Sequence, residues 1–180
     1  MNKKEEILNA SLKLFVENGE QATSMKWIAT EAKCGIGTMY NYFPSKEYLI
    51  NQLYLFVKDK KAEFIKYGFD STMSIKHKFS FCWTRVMLFA FEFPVAYKFL
   101  EKYSLSPIIT EETRKKGFEP FIPMIQVYES AKEQGIIKNY DTNQMILFTQ
   151  GAIAGLVNNK KIDINGIQEI VELAWDAVKK

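Results

Sequence analysis

Cysteine is nearly missing from this chain of 180 residues: Cys34 and Cys82 stand alone and far apart. Two such thiols cannot make the disulfide framework of a small secreted domain, so both are expected to be reduced and intracellular. Histidine occurs once, as His77 between Lys76 and Lys78, where it reads as a solvated surface residue. With no second histidine and no clustered cysteines there is no zinc set, and neither a metal nor another cofactor is expected. No glycine-rich phosphate loop, nucleophile elbow or triad pattern occurs. The adjacent acids Glu111-Glu112 read as a helix start favoured by the helix dipole rather than a catalytic pair, so an enzyme is disfavoured. Glycine (9) and proline (5) are too scarce for a collagen-like or low-complexity chain. No stretch of about 18 apolar residues exists, so no membrane partner is expected. The first residues, MNKKEEILNASLKLF, carry acids directly after their lysines and no uninterrupted apolar core; no signal peptide is read there, and the expected location is cytoplasmic. Arginine is limited to Arg85 and Arg114, and the net charge of +3 is too mild to demand nucleic acid by itself.

What the chain does have is apolar and aromatic mass. Apolar residues make up 47%, enough to bury a core at this length, and charged residues 25%, the ordinary globular mix. Nine rings (Phe79, Phe81, Trp83, Phe89, Phe91, Phe93, Tyr97, Phe99 and Tyr103) fall between 79 and 103. The apolar spacing is helical nearly throughout, and no β-branched alternation lasts long enough for a strand, so the expected fold class is all-α. Helices are expected over about 3–18, with Gly19 as the stop, and over 24–32, with Thr23 and Ser24 as candidate caps, and 36–42 as a short pair. Pro44 ends that pair and Ser45 caps a long helix. A fully apolar helix is expected over 74–92, interrupted at Pro94. Further helices start at Thr110 and near Ile125, at Asp141 through a capping box, and at Asn165 through a repeat of that device.

The informative stretch is 23–46, TSMKWIATEAKCGIGTMYNYFPSK. Two short helices across a tight turn form the helix-turn-helix arrangement, whose second helix enters the major groove. Ala29 sits where the two helices approach. Gly35 and Gly37 let the second helix's backbone come near phosphate. Met39 and Phe43 are spaced to anchor that helix inward, leaving Thr38, Asn41 and Tyr42 outward. Plain packing of a helical hairpin is the other reading of these glycines and rings.

In order and spacing, Ile7-Leu8-Asn9-Ala10, Leu14-Phe15-Val16-Glu17-Asn18-Gly19, Thr23-Ser24-Met25-Lys26-Trp27-Ile28-Ala29, Gly37-Thr38-Met39-Tyr40-Asn41-Tyr42-Phe43 and Ser45-Lys46-Glu47-Tyr48-Leu49 follow one pattern. This stretch, residues 3–50, resembles the DNA-binding headpiece of the TetR family of bacterial transcriptional regulators. The resemblance implies phosphate contacts from Ser24, Tyr42 and Lys46, with Lys26 beside them. It implies base-edge contacts from Ile36, Thr38 and Asn41, with Gly37 permitting close approach. Two positions depart from the family pattern. Lys33 stands where the family has a turn glycine, and Gly35 where it has a capping serine or threonine. A lysine held left-handed would be strained by about 1 kcal/mol or more, so a differently shaped turn is expected. Arginine, the commonest guanine reader, is absent from the headpiece, and Lys33 is its only nearby substitute.

The resemblance further implies a headpiece over 1–46 and a helical effector-binding and dimerisation domain over 47–180. The ring-rich segment is either plain core or part of a pocket for an apolar or aromatic small-molecule effector. Residue types and spacing nominate Trp83, Met87, Phe91, Tyr97, Phe121 and Tyr128 for its lining. Arg85 is the nearest charge, either orienting an acid or pairing at the surface. Gly151 and Gly155 allow close helix packing, either within the chain or across a dimer, with Ile167, Ile170, Val171, Ala174 and Trp175 as the other half of the interface. The expected function is a ligand-responsive transcriptional regulator of repressor type that binds double-stranded palindromic operator DNA as a homodimer. The alternative is a helical protein-interaction module that keeps the headpiece fold without specific DNA binding.

Overall fold

The computed structural model describes residues 2–158 and 163–180. Ten helices lie within them: α1 (Lys3–Ala22), α2 (Met25–Glu31), α3 (Ile36–Tyr42), α4 (Lys46–Lys66), α5 (Ile75–Glu92), α6 (Pro94–Tyr103), α7 (Glu111–Phe118), α8 (Ile122–Glu133), α9 (Thr142–Asn158) and α10 (Ile167–Val178). The described residues hold no strand, only an isolated antiparallel bridge between Ile137 and Lys179. The fold is all-α, as the apolar spacing predicts.

Local chemistry explains most boundaries. Ser24 accepts from the Trp27 backbone N–H at 3.1 Å and caps α2, and Thr110 does the same for Thr113 at the start of α7. Asp141 accepts from the Gln144 N–H at 2.9 Å as α9 begins. Two starts differ from expectation. Pro94 does more than interrupt: it occupies the first turn of α6, where a missing N–H costs nothing and its fixed φ suits a helix. At the last helix the cap is Asp163 rather than Asn165. The Asp163 carboxylate accepts from the N–H groups of Asn165 and Gly166 and closes a 3-10 turn ahead of α10. Gly19 breaks α1 as predicted by taking φ 79°, but the chain resumes helical turns to Ala22. Thr23 is not a cap; it is buried and donates to the Gly19 carbonyl at 2.7 Å.

The chain divides into two compact units. The first comprises the residues up to Lys60 together with Phe93–Glu119, and the second Lys61–Glu92 with Pro120–Lys180. The motif-based division at residue 46 follows a different line from these units, because α6 and α7 group with the first three helices. In the first unit α1 packs on α2 and α6, and α2 on α3. The side chain of Asn51 donates to the Ile108 carbonyl and accepts from the Thr110 N–H, tying α4 to the loop before α7. Arg114 donates to the carbonyls of Ser104, Ser106 and Ile109 and shapes that loop from inside.

In the second unit α5 packs on α8, α9 and α10. From Phe79 to Phe91 no residue of α5 is exposed, which is what a helix apolar on every side requires. Phe79 meets Tyr128 and Trp175 with ring centroids 5.7 and 5.2 Å apart.

Candidate nucleic-acid interface

Sequence alone predicts strain at the turn between α2 and α3, and the structure shows how it is borne. Lys33 takes φ 51°. Its N–H donates to the Thr30 carbonyl at 3.1 Å, while the Cys34 N–H reaches back to Ala29 at 2.9 Å. These are the two bonds of a Schellman helix end, in which the residue after the cap must be left-handed. The expectation of a different turn is therefore corrected: the lysine adopts the conformation that a glycine would take freely.

With the turn so closed, α3 is held from behind. Met39 and Phe43 are fully buried, as their spacing predicts, and Ala29 is buried on the facing helix. Gly35 begins α3 without a side-chain cap. Gly37, Thr38, Asn41 and Tyr42 are all exposed, along with Ile36 at 44% and Tyr40 at 49%. A Cβ built on Gly37 would meet nothing within 4 Å. No packing inside the chain requires glycine there.

The surrounding cations differ in availability. Lys26 and Lys33 are exposed. Lys46 is half-buried, and its ammonium donates to the Glu20 carbonyl at 2.7 Å and the Thr23 carbonyl at 3.4 Å. It closes the C-terminal end of α1, with one N–H left over. This role requires tertiary structure and was not legible from its place in the motif. The Ser24 oxygen is committed to its cap, which leaves its O–H free to donate outward. Beside the turn, Lys3 pairs with Glu6 and reaches the Ala32 carbonyl at 3.4 Å. The hydrogen bond with Glu6 raises the lysine and lowers the carboxyl from their ordinary values. Trp27, Tyr40 and Tyr48 are exposed rings beside this face that sequence reasoning did not nominate. The signal for Tyr40 was its position three residues after Gly37.

Residues 7–53 match the family model "Bacterial regulatory proteins, tetR family", and residues 54–180 match "Tetracyclin repressor-like, C-terminal domain". The chain belongs to the TetR family. It is a TetR-family transcriptional regulator with a helix-turn-helix DNA-binding headpiece. An HTH-type transcriptional regulator from Haemophilus influenzae is 23% identical over 98% of this chain and 95% of its own length. A tetR family transcription regulator from Shewanella sp. PV-4 superposes with a TM-score of 0.89 at 27% identity, covering 100% of both chains. AibR, in complex with isovaleryl coenzyme A and operator DNA, shares the fold: its TM-score is 0.74 at 16% identity, over 98% of this chain and 97% of that one.

The structure separates the residues expected to line an effector pocket. Tyr97 lies in the first compact unit and the other five in the second. Trp83 and Tyr128 are buried, the indole N–H donating to the phenol oxygen at 2.8 Å. Met87 is fully buried beside them, and Phe91 packs half-buried at the edge of the same core. These four make core rather than open wall. A small apolar cavity of about 40 Å3 lies elsewhere in the second unit, lined by Ala62, Ile65, Phe69, Cys82, Phe121 and Met124 among others. Phe121 alone of the nominated residues borders it. Burial pushes the Cys82 thiol up to about 11, so the cavity faces a neutral sulfur. Arg85 neither pairs at the surface nor faces that space. Its guanidinium donates to the Phe64 carbonyl in the last turn of α4 and stacks 3.8 Å from the Phe64 ring centre.

The residues expected at a dimer face also divide. Ile167, Val171 and Trp175 are buried in the unit's own core, the last against Phe79. They are spaced by four and therefore share one side of α10. Ile170 and Ala174 are half-buried at the margin of the same stripe and pack against that core, while Leu173 beyond them is 64% exposed. On α9, Gly151 and Gly155 are exposed, and a Cβ on either would meet nothing within 4 Å. Leu147 and Phe148, each 66% exposed, share their side of the helix.

Proposed function

We propose that this regulator is a ligand-responsive repressor that binds a palindromic operator as a homodimer. Residues 1–46 meet DNA, and residues 47–180 hold the effector and the dimer contacts. One observation carries the reading: the outward face of α3 is open on a fixed turn, while its inward residues are wholly buried. Ile36, Thr38 and Asn41 would meet base edges across the space left by Gly37. Ser24, Lys26, Lys33, Tyr42 and the remaining N–H of Lys46 would meet phosphates.

The effector is an uncharged or weakly acidic apolar molecule that enters at the cavity beside Phe121 and Met124. The present volume of about 40 Å3 holds little more than a water or a methyl group, so binding moves side chains aside. AibR is in complex with isovaleryl coenzyme A, whose acyl group is of this apolar kind although its coenzyme carrier is charged. The chain passes between its two compact units at 60–61, 92–93 and 119–120. Ala62 and Phe121 lie one or two residues beyond the first and last of these passages, so a ligand wedged between them acts on segments that continue into the headpiece unit. Such a ligand regulates only by preferring one headpiece spacing over another.

The test is fluorescence anisotropy of the full chain with labelled duplexes across a salt series. Log affinity is expected to fall linearly with log salt, with a slope of roughly −0.9 per phosphate neutralised. Absence of retention at low salt would reject DNA binding in favour of a protein-interaction module.

A further inference from the structure

We infer that α3 reads A·T base pairs: the operator segment beneath it is recognised through thymine methyl groups and one adenine N6/N7 edge, with no guanine contact. This rests on the reading of α3 as the helix that enters the groove.

The argument compares what each base pair offers with what α3 can answer. Guanine presents two acceptors, O6 and N7, and is read by paired donors on a cation. From Ile36 to Tyr42 the helix carries no cation. The chain's two arginines are both committed to backbone carbonyls, Arg85 to Phe64 and Arg114 to Ser104, Ser106 and Ile109. Cytosine presents an N4 donor and is read by a carboxylate. The helix carries none of these either. The distinguishing features of a G·C pair therefore meet no charged group on α3, only single hydroxyl or amide hydrogen bonds that discriminate weakly.

A·T pairs are answered twice. The Asn41 carboxamide pairs one N–H with N7 and its oxygen with the N6 amino group, the two-point match that adenine alone offers. Ile36 and Thr38 supply methyl groups to pack on a thymine methyl. Ile36 is 44% exposed at the start of α3, an apolar side chain facing outward beside the groove-facing residues. Gly37, with open space where a Cβ would stand, lets a base methyl come close between these groups. Tyr40 and Tyr42 both donate and accept, so they discriminate weakly. Lys33 sits in the turn and Lys26 on α2, outside the reading helix, where they serve phosphates.

The experiment selects duplexes from a randomised pool with the full chain at fixed salt and sequences them. The expected result is a pair of two-fold related half-sites, each with an uninterrupted block of about three or four A·T pairs. An invariant G·C pair inside the block, or retention with no enriched sequence, would overturn this inference and leave DNA binding standing. A pool that is not retained at all would overturn both. The selected duplex is then resynthesised with uracil for thymine or with 7-deazaadenine for adenine. Loss of one buried methyl is expected to weaken binding about fourfold, and loss of the adenine N7 acceptor about tenfold or more. Asn41→Ala should bind the natural and 7-deazaadenine duplexes equally, and Thr38→Ser should lose part of the preference for thymine over uracil. If Asn41→Ala still tells the two adenine duplexes apart, the adenine assignment is wrong.

Discussion

Lys33 and Gly37 show how single residues set the headpiece's stability and its use in opposite ways. At Lys33 the left-handed conformation that the turn demands is carried by a residue with a Cβ. Lys33→Gly should therefore raise folding stability by about 0.5–1 kcal/mol, since glycine escapes the steric cost at the expense of some unfolded-state entropy. Urea unfolding of the two proteins checks this. If Lys33 also meets phosphate, the same variant binds every duplex somewhat less well. Gly37 is the converse case. Alanine there has room and favours the helix, so Gly37→Ala should gain about 0.5–1 kcal/mol in stability. It should nonetheless lose DNA affinity, because the added methyl occupies the space a base approaches. A variant that is both more stable and equally tight on DNA would show that the glycine has no role at the interface. At this scale the sequence was readable wherever the chemistry is local. The Ser24, Thr110 and Asp141 caps depend on residues three positions away. Lys46 was not readable, because its partners lie 23 and 26 residues distant.

Among elements, α7 lies close to α4 because Gly117 leaves room. A Cβ at 117 would stand 2.7 Å from Cε1 of Tyr54, a ring that is itself buried, and 3.3 Å from Cγ of Lys58. Gly117→Ala should cost about 1–3 kcal/mol, the usual range for overpacking, read as a lower urea midpoint. The junction of α1 with α6 carries a pH dependence. The Tyr103 hydroxyl donates to the Glu20 carboxylate at 2.7 Å, and this bond is the main cause that holds Glu20 below the ordinary carboxylate range. A carboxyl lowered by folding contributes stability that is full above its unfolded pKa and is lost as pH falls through its folded one. Tyr103→Phe should then cost about 1 kcal/mol at neutral pH, since the pair is partly solvated, and the gap between the two proteins should narrow as pH falls below 4.5, the ordinary glutamate value. Equal costs at both ends of that range would remove Glu20 from the explanation. Neither junction could be read in advance. Gly117 gives no signal without its neighbour, and the α6 helix was missed because proline marks a helix start as well as a helix end.

Whole-molecule assembly is where apolar periodicity is least informative, and α10 shows why. Gln168, Glu169, Glu172 and Asp176 share one polar face, but the apolar arc that remains is wider than one helix contact, so spacing shows that it seeks cover without showing whether this chain or a second copy supplies all of it. The structure divides it: Ile167, Val171, Trp175 and Val178 are spent on the chain's own core, while Leu173 stands out on α10 and Leu147 and Phe148 on α9. Burying three such side chains contributes roughly 1.5–3 kcal/mol each when fully covered, and the bare backbone at Gly151 and Gly155 lets a facing helix approach closely. A two-fold protein also suits a two-fold operator whose half-sites lie about 34–36 Å apart along the duplex. We therefore expect Phe148→Glu and Leu173→Glu together to give a folded monomer by sedimentation velocity. Each chain would then hold only one half-site, so affinity for a palindromic duplex should drop far more than affinity for a single half-site. Gly155→Leu should weaken the dimer without unfolding the chain, because Gly155 is exposed and a Cβ there meets nothing within 4 Å. Trp175→Ala makes the opposite comparison. It should cost about 3–5 kcal/mol of folding stability as a core deletion, with no direct loss of association among the molecules that remain folded. A double glutamate variant that still sediments as a dimer would place the interface on another surface.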